Sequence, residues 1–211
     1  MKQPTVISFE DCVNNGNVIG SNHYVGGFVG HISGNTNMTM TISNFVNNGN
    51  VTGSSQNVGG FVGPISGNTN MTMTISNFVN NGNVTGSGWY VGGFAGCIQD
   101  NTNTTMTISN SVNCANVTGS GADVGGFVGF FRSNTNMAMA ISNSVNSATV
   151  TGSGENVGGF VGYIYYNSNM NMTVSNVMNN GNVIGNEICV GGFVGRVDNS
   201  MNMMTISDFI N

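Results

Sequence analysis

The hexapeptide Val25-Gly26-Gly27-Phe28-Val29-Gly30 returns at Val58, Val91, Val124, Val157 and Val190, each copy 33 residues after the last, with Ala95 the one replacement inside the motif. Six copies at one spacing mean a single structural unit stacked on its neighbours, because a unit this small cannot bury its own apolar face. The constant period therefore makes 1–211 one elongated repeat body, although its length alone would suit one or two ordinary domains.

Residues 35 to 67 serve as the type copy. Asn37-Met38-Thr39-Met40-Thr41-Ile42-Ser43 alternates apolar and hydroxyl side chains with period two, the pattern of a strand with one buried face. Its copies include Met71 to Ile75, Thr104 to Ile108, Met137 to Ile141 and Met170 to Val174, while Met204-Thr205-Ile206-Ser207 matches only after a one-residue deletion upstream. Asn44 and Asn47 recur at the end of this strand, where Asn suits left-handed corners and bonds to an identical Asn one coil away. A second short strand centres on Val51 and its copies, and the hexapeptide forms a third, in which the double glycine permits a bulge. Met40, Ile42, Val46, Val51, Phe61 and Ile65, with their copies, are the expected core.

Helix is excluded, since Leu is absent, Ala, Glu and Lys are scarce, and the period is two rather than 3.6. The fold class is all-β: a parallel β-solenoid with one coil per 33 residues, about six coils, on the order of 30 Å long at about 4.8 Å per coil.

Asn-Asn-Gly-Asn-Val-Thr-Gly followed by Val-Gly-Gly-Phe-Val-Gly, as at 47 to 63, resembles the GLUG repeat of large bacterial and protist surface proteins and of some immunoglobulin A peptidases. Phe61 and its equivalents stand where that family more often has Leu. The resemblance covers nearly the whole chain and implies a β-solenoid segment of a secreted or surface-attached, adhesin-like protein. It supplies no catalytic residue, since the peptidases that carry the repeat do their chemistry in another domain.

Charge excludes further classes. Lys2, Arg132 and Arg196 are the whole basic complement, too few to track a phosphate backbone, so no nucleic acid is expected as partner. The eight acidic residues are scattered, and no apolar run approaches the roughly 20 residues of a membrane span, so no membrane insertion is expected. The opening residues turn acidic too soon for a secretory signal, and both ends fall mid-repeat, as in a fragment of a longer protein. His23 and His31 sit on different segments without a carboxylate pair, no phosphate loop is possible without a second Lys, and Asn stands where a calcium repeat needs Asp; no metal, no cofactor and no catalytic constellation is expected. Cys12, Cys97, Cys114 and Cys189 fall at different points of the repeat, too far apart for bridges that need Cα atoms within about 7 Å, so free thiols are expected. Asn-x-Ser/Thr triplets such as Asn37, Asn50 and Asn83 arise because the repeat itself spells them.

What varies between copies is where binding is expected, because exposed loops on a rigid frame carry recognition. One variable loop holds Trp89 and Tyr90, read as an isolated pair. The other places Phe130, Arg132, Tyr163, Tyr165, Tyr166 and Arg196 on three successive coils, an exposed set with the composition of protein hot spots and of sugar-stacking faces. The alternative face is the outward grid of Thr39, Thr41, Thr72, Thr74, Thr105 and Thr107, which resembles the ice-binding faces of some solenoid antifreeze proteins; Ala138, Ala140 and Asn171 interrupt it. A third expectation is end-to-end self-association into filaments through unpaired edge strands, with only four residues, Lys2 and Pro4 among them, before the first strand, and relieved by charged substitutions at Ile206 and Ile210.

Overall fold

The computed structural model describes residues 5–211, apart from the side chains of residues 201 and 202; Lys2 and Pro4 lie outside the described residues. Each coil supplies one stretch to each of four parallel walls. In the type coil the first wall is Met38–Ser43 with Val46–Asn47, the second Val51–Gly53, the third Val58–Gly59 and the fourth Val62–Ser66. Equivalent residues pair across coils: Met40 with Met73, Val51 with Val84, Val58 with Val91, Ile65 with Ile98. The second, third and fourth walls are six-stranded sheets, there is no helix among the described residues, and the body is a parallel β-solenoid of about six turns. The register slips once, between Ser168 and Met170 opposite Met201 and Asn202, which is where the upstream deletion falls.

Corners decide which side chains face inward. Met38, Met40 and Ile42 are buried and Thr39, Thr41 and Ser43 face out, as alternation requires. Asn44 then adopts a left-handed conformation (φ 54°), as do Asn77, Asn110, Asn143 and Asn176, and this inverts the parity. Phe45 and Phe78 therefore enter the core, while Val46 and Val79, expected inside, are half-buried on the outer side. The hexapeptide is likewise not one strand but two, in different walls. Its reset falls one residue after the glycines, where the N–H groups of Phe61 and Val62 both donate to the carbonyl of Phe94, at 3.0 Å each, so that both side chains face the core.

The glycines serve close approach. A Cβ on Gly60 would collide with the carbonyl oxygen of Gly93 and stand 3.0 Å from the amide of Asn80, and one on Gly96 would lie 2.7 Å from Asn57 Cα. The third and fourth walls consequently lie backbone against backbone and divide the interior. The larger core, between the first and fourth walls, holds the Met and Ile columns and rows of stacked phenylalanines such as Phe61–Phe94, with centroids 5.2 Å apart. The smaller holds only valines, Val51 and its copies against Val58 and its copies.

Two asparagine ladders, buried except at their outermost members, flank the larger core. Asn47 Nδ2 donates to Asn80 Oδ1 (2.8 Å), Asn80 to Asn113 (2.8 Å), Asn113 to Asn146 (2.9 Å) and Asn146 to Asn179 (2.8 Å). A second amide proton goes to the carbonyl two residues on, as from Asn47 to Gly49 at 2.9 Å. At the other corner Asn68, Asn101, Asn134 and Asn167 form a second ladder, absent from the sequence-based expectations, in which each amide also donates to a carbonyl of the preceding coil, as from Asn68 to Ile32 at 3.3 Å. The Asn44 column also forms side-chain bonds, but on the exposed surface. Val6 and Ile19 of the first coil are exposed because they stand at the outward positions of Thr39 and Thr52, whereas Ile206, which pairs with the buried Val174, is exposed at the end of the stack.

Asn113→Ala strands one proton of Asn80 and the oxygen of Asn146 in a dry strip. It is expected to cost about 2–5 kcal/mol in urea unfolding, whereas Asn103→Gly, in the exposed ladder at a left-handed corner, should stay within about 0.5 kcal/mol.

Candidate functional site

The fourth wall stacks Cys97, Phe130, Tyr163 and Arg196 in one column and Gln99, Arg132, Tyr165 and Asp198 in the next. The stretch leading into the third wall lies against this wall because Gly129 has no side chain: a Cβ there would stand 2.6 Å from Val91 N and 2.8 Å from the carbonyl oxygen of Asp123. That approach merges the two variable loops into one face. Trp89 and Tyr90, read as an isolated pair, belong to it. Tyr90 takes the left-handed corner (φ 66°) and its ring stacks on Phe130 at 4.7 Å; Phe130 stacks on Tyr163 at 5.3 Å, and Tyr165 and then Tyr166 continue the row at 5.4 and 5.9 Å.

The exposed set expected from sequence is thus partly covered. Phe130 is only 4% accessible, lying beneath its neighbours, while Tyr163 and Tyr165 are half-buried; Trp89 and Tyr166 are 53% and 64% exposed. Both described arginines belong to this face. Arg132 lies 5.5 Å from the Phe130 centroid and Arg196 5.3 Å from that of Tyr163, each within cation–π range. Arg196 is held by Asp198 at 2.6 Å, and the Tyr163 hydroxyl donates to the same carboxylate oxygen at 3.2 Å. Burial, then the bond and charge of Asp198, push the Tyr163 hydroxyl up to about 12. Among the described residues Arg132 makes no salt bridge, and its Nε is buried without a hydrogen-bond partner.

A groove of about 240 Å³ opens between the loops, lined by Trp89, Tyr90, Arg132, Asp123, Asn156 and Tyr165 among others. Asp123 and Asn156 occupy the Tyr90 position of the same variable loop on the next two coils. Both are buried, at 4% and 2%, with Asn156 Nδ2 donating to Asp123 Oδ1 at 2.6 Å. Burial raises the Asp123 carboxyl to about 6, with Glu155 adding to the rise and the Asn156 bond and Arg196 opposing it. The available signal was position: these two residues align with Asn57 and Tyr90 at the corner that meets the fourth wall.

The threonine grid is in register on the first wall. Thr39, Thr72 and Thr105 pair in one column and Thr41, Thr74 and Thr107 in the next, before both run into Ala138 and Ala140. All four cysteines are free, Cys97 buried with its thiol pushed up by desolvation. His31 Nε2 lies 2.7 Å from Ser66 Oγ and His23 Nδ1 3.0 Å from Ser55 Oγ, so each histidine is tied to the next coil. No group of three or more His, Cys, Asp or Glu among the described residues is placed to hold a metal ion, and no helix among them is long and apolar enough to cross a membrane. No protein-family model matches the chain, and comparison with curated proteins and with solved structures found no match.

Because the Asp123 carboxyl is raised in the folded state, the linked stability is complete below its unfolded value near 4 and is lost as pH rises through about 6. Asp123→Asn keeps an acceptor for Asn156 and suits the left-handed corner (φ 62°). The variant should gain about 2–3 kcal/mol over the parent at pH 8 and little at pH 4, checked by denaturant unfolding across that range.

Proposed function

We propose that the chain is a non-catalytic, GLUG-type scaffold segment of a secreted or surface-attached protein, presenting the aromatic–arginine face for recognition of a protein or glycan. The observation that carries this reading is the continuous row Tyr90, Phe130, Tyr163, Tyr165 and Tyr166 with a guanidinium over two of its rings, drawn from four coils and both variable loops. Aromatic and arginine side chains pre-ordered by stacking lose little entropy on binding and dominate recognition surfaces. The frame beneath them is closed by ladders and packed cores, so the face is held rigid.

A second reading has its own observation. Six threonines of the first wall stand in two in-register columns on a parallel sheet, a regular hydroxyl array of the kind the ice-binding reading calls for. In that reading the aromatic face is incidental.

A screen against glycans and host-surface proteins separates the two. Tyr163, Tyr165 and Tyr166 replaced together by Ala should abolish any binding found, and binding that survives the triple replacement would detach function from this face. Thermal hysteresis in dilute solution, lost in Thr74→Leu and Thr107→Leu, would establish the threonine grid instead.

A further inference from the structure

The groove beside the aromatic row has unmet polar demands that single out one kind of occupant. Its floor holds Asp123 and Asn156, its walls are the rings of Trp89, Tyr90, Tyr163 and Tyr165, and Arg132 lies along it. Two polar atoms of its lining lack partners: the donor Arg132 Nε and the acceptor Asn156 Oδ1. A buried polar atom left unpaired costs about 1–3 kcal/mol, so such atoms are ordinarily satisfied. The same oxygen is unpaired at Asn57, one coil before Tyr90, so at Asn156 it partly reflects the corner's geometry. Arg132 has no counterpart on any other coil: its equivalents are Ser33, Ser66, Gln99, Tyr165 and Asp198.

We infer that this groove is a subsite for a neutral hexopyranose unit of a glycan, an inference that rests on the recognition face proposed above and names its ligand. A pyranose ring presents a face of C–H groups that packs on tyrosine and tryptophan rings, while its rim of hydroxyls both donates and accepts. That pairing matches a groove with aromatic walls whose lining residues hold, buried just beneath the surface, one unpaired donor and one unpaired acceptor. At about 240 Å³ the space falls below the roughly 300 Å³ at which pockets for drug-sized molecules begin, and suits a single sugar ring. A protein partner needs a wider dry patch, on the order of 800 Å² per side. Charge selects the neutral sugar: Asp123 and Glu155 line the groove with Arg132, so a uronic acid would meet two carboxylates against one guanidinium. Arg132 leaves the Phe130 ring to meet a hydroxyl, because its Nε is closed off where it now lies.

The chain's single tryptophan, Trp89, lines the groove and reports occupancy directly. The probes are the methyl glycosides of glucose, galactose and mannose, their linear tetrasaccharides, and methyl glucuronide for comparison, each titrated against the intact chain while Trp89 fluorescence is followed. A saturable change is expected with at least one neutral glycoside and none with the glucuronide. Arg132→Met, which removes the guanidinium and keeps an unbranched apolar side chain beside Phe130, should weaken the neutral sugar about tenfold, and Tyr165→Ala should do the same, with unfolding midpoints close to the parent's. Absence of any saturable change, tightest binding of the glucuronide, or equal affinity in both variants overturns the inference. If sugars fail while a protein ligand is lost in the Tyr163, Tyr165 and Tyr166 variant, the glycan subsite falls and the recognition face stands; if neither class binds, both fall.

Discussion

The rest of the molecule depends on the chain of asparagine amides that runs from Asn14 through Asn47, Asn80, Asn113, Asn146 and Asn179 to Asn211. Each interior amide uses its oxygen toward one neighbour and a proton toward the other, so a one-residue slip of any coil would break two bonds in a place water cannot reach. Apolar side chains tolerate exchange of one for another, but the ladder does not tolerate misregister. Where the last coil is one residue short, Asn211 still takes the amide of Asn179 at 2.7 Å; the slip is absorbed earlier, opposite Ser168 and Met170.

Room for that ladder comes from the hexapeptide's second glycine, which leaves the Asn80 amide beside Gly60 instead of against a methyl group. The first and last glycines of the motif let the third and fourth walls touch through their backbones. Two consequences follow from one motif. The interior splits into a methionine, isoleucine and phenylalanine core and a narrow valine core, and the two loops on either side of the motif emerge next to each other. A continuous face built from both loops is thus a by-product of the packing that holds the coil together.

Architecture was legible in the sequence because a fixed period and strict alternation admit few folds. Parity after a corner was not, since Asn44 bonds and turns equally well without revealing that its φ of 54° hands the core position from Val46 to Phe45. The candidate face was half legible. Alignment by 33 placed Phe130, Tyr163 and Arg196 in one column, as found, but Tyr90 meets Phe130 across 40 residues, a contact between loops that no alignment of copies contains. Asp123 and Asn156 were hidden for the same reason: composition gives their polarity, and only the glycine contact beneath them gives their burial.

Exchange of the asparagine side-chain amide protons tests the central claim most directly, because the ladder consists of those protons. In a proton–nitrogen correlation spectrum recorded after transfer to heavy water, the amides of Asn80 and Asn113 should persist as long as the backbone N–H groups of the walls, while those of the exposed Asn77 and Asn103 vanish at once. Exchange of Asn80 and Asn113 as rapid as that of Asn77 would mean that no buried ladder sets the register, and would contradict the account.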